Sequence, residues 1–369
     1  MKVLFLTNIP APYRVDFFNE LGKKCDLTVL FERSNASNRE KKWQENKALN
    51  YKAIFMKGIN VGNEGALCID VLKYLNKSYD YIIIGGYSTP TGILAINFLK
   101  LRRIPFFLNA DGGTIKEENK LMYMFKKSLI SSAKYWLSTS NETNKYFLHY
   151  GAQEDKIYQY PFTSLKQSDI LLNPVSKEEK TKLKSFLGIK EEIVILSVGQ
   201  IIPRKGFDVL MNAMANLPTN YGLYIIGGKP TDDLINLNEK LNLKNIHFID
   251  FKTKKEVSQY YKCADIFTLA TREDIWGLVI NEAMAKGLPV ITTNKCVAGL
   301  ELIQDNINGF ITSVENSEEL GEKIKVILEH PDLMDKMKYN NLEKISQYTI
   351  EKMVERHLEI FNKINGGIK

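Results

Sequence analysis

Little in these 369 residues offers a ready set of metal or disulfide partners. Four cysteines (Cys25, Cys68, Cys263, Cys296) stand far apart without a CxxC, and four histidines (His149, His247, His330, His357) are equally scattered. Neither set has metal-ligand spacing, so buried thiols and ordinary histidines are expected. There is no D-x-D, which argues against an Asp-bound metal. No metal and no cofactor are therefore expected. No G-x-G-x-x-G opens a first helix, where "NIPAPYR" stands instead, and that disfavours a dinucleotide-dependent dehydrogenase. No apolar run approaches the length needed to span a bilayer. "MKVLFLTNIPAPYR" has the Lys and short apolar run of a signal peptide but no small-residue cleavage pattern. Its alternating apolar residues suit a first strand, and a cytoplasmic location is expected.

What is present is ordinary in amount and informative in arrangement. A 44% hydrophobic content with 25% charged residues is typical of a soluble globular protein. The length exceeds one comfortable core and implies two domains. The net charge of +7 lies wholly in the first half. Residues 1–163 hold 23 Lys and Arg against 15 Asp and Glu, and the rest holds 27 against 28. That surplus suits a phosphate-bearing partner or a membrane surface, with a solvated basic face as the plain alternative. Nucleic acid is disfavoured, because no aromatic–basic repeat or nucleic-acid motif occurs.

Strand-like and helix-like segments alternate, the pattern of parallel α/β sheets. In the first half "KVLFLTN", "DLTVLFE", "YKAIFMK", "YDYIIIGG", "IPFFLNA", "YWLSTS" and "KIYQYPF" read as strands. Helices are expected over 13–22, 65–76, 90–101, 119–133 and 141–150, and a mobile loop over the polar stretch 33–50. The polar, Pro-containing run 164–188 reads as a linker. A second alternation follows, beginning at "IVILSVG" and ending in helices from 316 onward. The domains are thus 1–163 and 189–345, both Rossmann-like, with 346–369 a helix crossing back to the first. Two such doubly wound sheets bind ligands outside the carboxyl ends of their strands.

Two strand-end segments carry candidate chemistry. In "TREDIWGLVINEAMAKGLPVITT" (271–293), Glu273 and Asp274 lie at a strand-to-helix turn. A helix is expected from about Trp276 to Lys286, closed by Gly287 and blocked by Pro289. Gly277 lets a ligand approach the backbone, and the turn suits an anion. The plain reading makes Asp274 an N-cap and Glu282 a solvated helix residue. Against it, Glu282 sits in the nearly all-apolar "LVINEAMA", where a carboxylate needs a partner. In "SVGQIIPRKGFDVLMNAM" (197–214), a strand ends at Gly199 and a turn presents Arg204 and Lys205. A planar fork of donors beside a point charge is what a diphosphate needs, although a surface Arg-Lys pair is the simpler account.

Together these residues resemble the retaining, two-domain GT-B glycosyltransferases of family GT4 (glycosyl transferases group 1). "DIWGLVINEAMAKGLPVI" is similar to the family's E-x7-E run, with Glu282 at the second acid. "VGQIIPRKGFDVL" resembles its phosphate-binding G-R-x-x-x-x-K-G segment, and "GLELIQDNINGFI" (299–311) the stretch that follows. The likeness is strongest over about 193–315. "NIPAPYRVDFFNELGKKCDLTVLFE" looks like the N-termini of bacterial polysaccharide-assembling members.

The resemblance implies transfer of a hexose-type sugar, with retention, from a nucleotide sugar to a saccharide or polyprenyl-diphosphate-linked acceptor. A UDP-sugar is the leading donor. It implies that Glu282 accepts hydrogen bonds from the ribose hydroxyls. Arg204 and Lys205 neutralise the diphosphate, and the backbone of Gly277, Leu278 and Val279 holds phosphate or sugar oxygens. Asp111, in "FFLNADGG", faces the sugar from the acceptor-binding first domain; a turn-forming Asp is the plain reading. Two departures matter. Gln200 stands where the family has Arg after the strand-end glycine, Gly199. The first acid of E-x7-E is Asp274, with Glu273 one position early; register favours Asp274 and reach favours Glu273.

The basic first half would then meet the acceptor. "LMYMFKKSLISSAKYW" (121–136), with Lys126, Lys127 and Lys134, suits a helix at an anionic membrane surface, or a sheet-packing helix with a basic outer face. Peripheral association with the inner face of the cell membrane is the corresponding expectation. Other GT-B enzymes, such as a sugar-nucleotide epimerase or a phosphorylase, are the competing reading. A non-catalytic nucleotide-sugar-binding protein is a third, since Gln200 and Asp274 are departures.

Overall fold

The computed structural model describes residues 1–34, 48–63 and 65–366. They divide into two compact units, Met1–Ser164 with Thr349–Lys369, and Leu165–Tyr348.

The first unit is built on seven parallel strands and a short ribbon. The chain makes β1 (Lys2–Thr7), β2 (Asp26–Phe31), β3 (Lys52–Phe55), β4 (Ile59–Val61), β5 (Gly65–Leu67), β6 (Tyr81–Ile84), β7 (Phe107–Asn109), β8 (Tyr135–Ser138) and β9 (Ile157–Gln159). The sheet order is β3-β2-β1-β6-β7-β8-β9, and β4 pairs antiparallel with β5. β1 is central, with Val3 aligned between Leu27 and Tyr81. Every residue of "VLFLT" is buried, as a strand covered on both faces requires. The connecting helices are α1 (Pro12–Gly22), α2 (Pro90–Arg102), α3 (Lys120–Ile130) and α4 (Asn141–His149). Side-chain caps start three of them: Thr89, Asn119 and Ser140 accept from Gly92, Met122 and Thr143.

One expected helix is absent. Residues 65–76 form β5 and a 3-10 turn, Ile69–Lys73, instead. Gly62 turns the chain at φ +64°, and Val61 and Gly65 then face each other as the first pair of the ribbon. The tertiary pairing overrides the helical spacing of the apolar residues. Most of the polar stretch 33–50, expected as a mobile loop, lies outside the described residues.

The second unit repeats the plan. β10 (Ile193–Val198), β11 (Tyr221–Ile226), β12 (Ile246–Ile249), β13 (Ile266–Leu269), β14 (Val290–Thr293) and β15 (Gly309–Thr312) run parallel in the order β12-β11-β10-β13-β14-β15. Its helices are α5 (Lys177–Leu187), α6 (Phe207–Met214), α7 (Asp232–Lys240), α8 (Lys254–Cys263), α9 (Leu278–Met284), α10 (Val297–Leu302), α11 (Ser317–Glu329) and α12 (Pro331–Ile345). Residues 165–188, which read as linker, are packed parts of this unit. α5 lies against α8, and Lys180 Nζ reaches the Ala264 carbonyl and Asp265 at 2.6 and 2.8 Å. Asp169 is met by Lys254 at 2.8 Å. A helix held through ion pairs rather than an apolar stripe looks like solvent-exposed chain in sequence.

The last helix, α13 (Ile350–Gly366), belongs to the first unit. Phe361 stacks on Tyr81 with ring centroids 4.5 Å apart and meets Phe107 edge-on. His357 packs against Phe17 and Tyr160. No helix of the described residues is long and apolar enough to cross a membrane.

In each sheet the strand order reverses once, between β1 and β6 and between β10 and β13. Turns leaving the carboxyl ends of these strands flank a crevice suited to a ligand.

Candidate active site

In the second unit the two turns at the reversal are joined to each other. The first, after β10, ends in the 3-10 turn Pro203–Lys205. The second, after β13, carries residues 270–277. Gly206 makes their approach feasible: its φ is +65°, and a Cβ there would lie 2.0 Å from the Ala270 carbonyl oxygen. The Arg272 amide donates to the Arg204 carbonyl at 2.8 Å, and the Thr271 hydroxyl donates to the same oxygen at 3.0 Å. Arg272 then grips Asp208 through two bonds of 3.0 and 2.7 Å and pairs with Glu315. These charges hold the Arg272 pKa above its ordinary value, the Asp208 and Glu315 bonds outweighing burial.

The candidate cations converge on Asp274. Lys205, only 8% exposed, donates from Nζ to the Asp274 carboxylate at 2.5 Å. Arg204 lies 3.7 Å from the same oxygen and donates to the Glu273 carbonyl at 2.5 Å. Asp274 itself is buried and fixed through its backbone, its amide donating to the Lys295 carbonyl at 2.9 Å. Gly199 borders the methylene chain of Lys205, whereas Gln200 is exposed. The arrangement joins one acid and two cations within a single crevice. The Lys205 ammonium is thus buried and already oriented.

α9 begins two residues later than expected. Trp276 is turned inward, its indole N–H donating to Asn281 Oδ1 at 2.9 Å. Gly277 adopts φ +104°, and a Cβ would come within 2.9 Å of Cys296 Sγ. Leu278 and Val279 follow as the first, half-buried helical residues. Gly287 ends this segment at φ +72°, as its position suggested. Glu282, half-buried on α9, accepts from the Tyr261 hydroxyl at 3.2 Å. Tyr261 is fully enclosed, and burial together with the Glu282 charge pushes its pKa well above normal. That tyrosine is the partner a carboxylate in an apolar helix needs.

Asp111 belongs to the first unit, just beyond β7. It receives hydrogen bonds from Asn109 at 3.0 Å and Tyr13 at 3.2 Å, and it forms an ion pair with Arg14. Arg14 is 3% exposed, and its Nη1 has no hydrogen-bond partner among the described residues. Burial alone would lower the Arg14 pKa; Asp111, with Tyr160 and Tyr13, raises it instead. Tyr160 completes the group by donating to Asn109 at 2.9 Å. Asp111 is thus more than a turn former: it is the counter-charge of a buried guanidinium at the reversal of its sheet.

Residues 179–344 match the family described as Glycosyl transferases group 1. A Klebsiella pneumoniae protein, described as an uncharacterized 41.2 kDa protein in cps region, is 30% identical over 290 residues, 73% of this chain and 76% of its own. The chain belongs to the glycosyl transferases group 1 family. The lipopolysaccharide glucosyltransferase WaaG of Escherichia coli K12 is 28% identical over 206 residues, 53% of each chain. The chain spans about half the length of several curated relatives it matches. The crystal structure of HepE from Anabaena in complex with UDP aligns with a TM-score of 0.80 at 19% identity, covering 98% of this chain and 100% of that one. The fold is therefore GT-B, with two parallel-sheet α/β domains.

Several residues around these two groups, one in each unit, escaped the sequence reading. Arg272 offered no signal beyond being a third cation near the turn. Arg14 had one: it follows two prolines and is flanked by Val15, Phe17 and Phe18, an unusual setting for a solvated arginine. Tyr261 lay on α8, away from every motif.

Proposed function

We propose that this chain is a retaining, metal-independent GT4 glycosyltransferase of bacterial surface polysaccharide assembly. It moves a hexose-type sugar from a UDP-sugar to a saccharide or polyprenyl-diphosphate-linked acceptor at the inner face of the cell membrane. The observation that carries the reading is the convergence of Arg204, Lys205 and Asp274 at the sheet reversal, with Glu282 on the helix that follows. Support for the donor comes from HepE, which has been solved with UDP. Support for the pathway comes from a relative that is a lipopolysaccharide glucosyltransferase.

In this reading Lys205 and Arg204 stabilise the negative charge that grows on the departing diphosphate. Glu282 accepts from the ribose hydroxyls, and its bond from Tyr261 fixes the carboxylate. The departing diphosphate takes the acceptor proton, and the protein contributes orientation. Asp274 or Glu273 contacts the sugar.

The test is a thermal-shift screen against UDP-, GDP-, ADP- and dTDP-sugars, since a ligand of the native state raises stability by mass action. Transfer assays on the wild type, Lys205→Ala and Glu282→Ala follow, with and without a chelator. A UDP-sugar is expected to give the largest shift. Lys205→Ala is expected to lower transfer by about 10²–10³-fold, the usual loss when one charge-stabilising donor is removed. Folded variants that transfer at the wild-type rate would overturn the assignments.

A further inference from the structure

Arg272 lies among the candidate donor residues, yet every hydrogen-bond donor of its side chain is already engaged. A guanidinium carries five N–H donors in a fixed fork. Nη1 donates to the Pro203 carbonyl and to Asp208 Oδ1 at 3.0 Å, and Nη2 donates to Asp208 Oδ2 at 2.7 Å. The other Nη2 hydrogen reaches Glu315 Oε2 at 3.0 Å, and Nε completes a second fork on Glu315 Oε1. The backbone amide adds its bond to the Arg204 carbonyl at 2.8 Å. No donor is left for a phosphate.

What these bonds join is a set of strand-end turns. Pro203, Arg204 and Asp208 follow β10, Arg272 follows β13, and Glu315 follows β15. Three of the six strand ends of this sheet are thus tied through one side chain. The backbone of Glu315 is an independent sign of the same tie. Its φ of +65° lies in the left-handed region, a strained setting for any residue with a Cβ. Such a conformation persists where its surroundings hold it, and Arg272 holds both Glu315 oxygens. The three side chains are partly exposed, Arg272 by 30%, Asp208 by 42% and Glu315 by 53%. One exposed ion pair contributes little to stability, whereas two bidentate forks on one guanidinium fix geometry. The effect is therefore local, on the turn that presents Arg204 and Lys205.

We infer that Arg272 is a positioning residue: it never meets the donor, and it holds the turn of Arg204 and Lys205 in the geometry a diphosphate needs. Lysine cannot replace it, because a point charge with three donors cannot make two planar forks. The inference deepens the proposed donor site and rests on that reading for the identity of the anion. The order of the turn is measured without ligand, so its failure and the failure of the donor reading are separate results.

Three full-length proteins are compared: the wild type, Arg272→Lys, and a triple variant combining Arg272→Ala, Asp208→Asn and Glu315→Gln. The triple variant removes the ties without leaving unpaired carboxylates. Amide exchange read by mass spectrometry, without ligand, should be faster over residues 201–208 in both variants and unchanged over β11, β12 and β14. Affinities for UDP and for uridine are then measured by NMR titration. Both variants should bind UDP at least about tenfold more weakly, the scale of one charge-assisted hydrogen bond. Both should bind uridine as the wild type does, since only the diphosphate depends on this turn; a merely destabilised fold would lose the two together. Unchanged exchange over 201–208 would overturn the inference whatever the wild type binds. Full UDP affinity in the triple variant would also overturn it, leaving Arg272 a neutraliser of two acids. Full UDP affinity in Arg272→Lys would do the same, reducing the fork to a charge. A wild type that binds no UDP, with faster exchange in the variants, would count against the donor reading alone.

Discussion

Lys205 and Asp274 come from turns 69 positions apart in the chain, yet their charged atoms touch in a nearly dry crevice. Removing one member of a buried ion pair leaves the other uncompensated, which costs about 3 kcal/mol or more. Asp274→Asn should therefore lower the unfolding free energy by about 3 kcal/mol in the absence of ligand. If a diphosphate binds Lys205, UDP should raise the melting temperature of this variant more than that of the wild type, since it supplies the missing counter-charge. A smaller shift in the variant would show that Asp274 itself holds the donor. At this scale motif spacing made Lys205, Asp274 and Glu282 legible, because a strand end, a glycine and a helix start fix where such side chains emerge. Arg14 was not legible: its partner Asp111 lies 97 residues away, and nothing local tells a buried arginine from a solvated one.

α13 shows how an element can carry a titratable group the sequence treats as ordinary. The His357 ring is enclosed by Phe17, Tyr160 and Phe361. Its Nδ1–H donates to the Met353 carbonyl at 2.7 Å, and its Nε2 has no hydrogen-bond partner among the described residues. Burial, with the charges of Arg14 and Arg356, lowers its pKa to about 4 from the ordinary 6.5, against the opposing pull of the Met353 bond. Between those values the unfolded chain binds a proton that the native ring refuses, so stability is lost as pH falls from 6.5 toward 4. The loss from this group is about 3 kcal/mol. Urea unfolding across that range should show His357→Phe losing less stability than the wild type by this amount. Equal losses would mean the ring becomes protonated in place. The sheet strands, by contrast, were legible in position, since buried parallel strands are short, uninterrupted apolar runs, although most are shorter than the runs that were read. The β4–β5 ribbon was missed because pairing, not periodicity, decides a segment of three residues.

At the scale of the whole chain the two units differ in how they are cut from the sequence. The second is continuous, Leu165–Tyr348, and holds every residue proposed for the donor side, from Gly199 to Glu282. The first is discontinuous and relies on α13, whose Phe361 and His357 cover Tyr81, Phe107 and Phe17. The sequence showed two repeats of one architecture, but the apparent linker hid where the second begins, since α5 is bound through charges. A fragment spanning residues 165–348, about 180 residues, has the size of an independent domain. It is expected to fold alone, with a cooperative thermal transition by circular dichroism, and to bind UDP by calorimetry. Residues 1–164 alone should fail to fold, because removing α13 leaves an aromatic face of the sheet in water. Joining residues 349–369 to them through a flexible linker should restore a cooperative transition. A cooperative fold of 1–164 without α13 would show that the helix is an accessory rather than a layer of the first unit. Failure of the 165–348 fragment to bind UDP would place part of the donor site outside it.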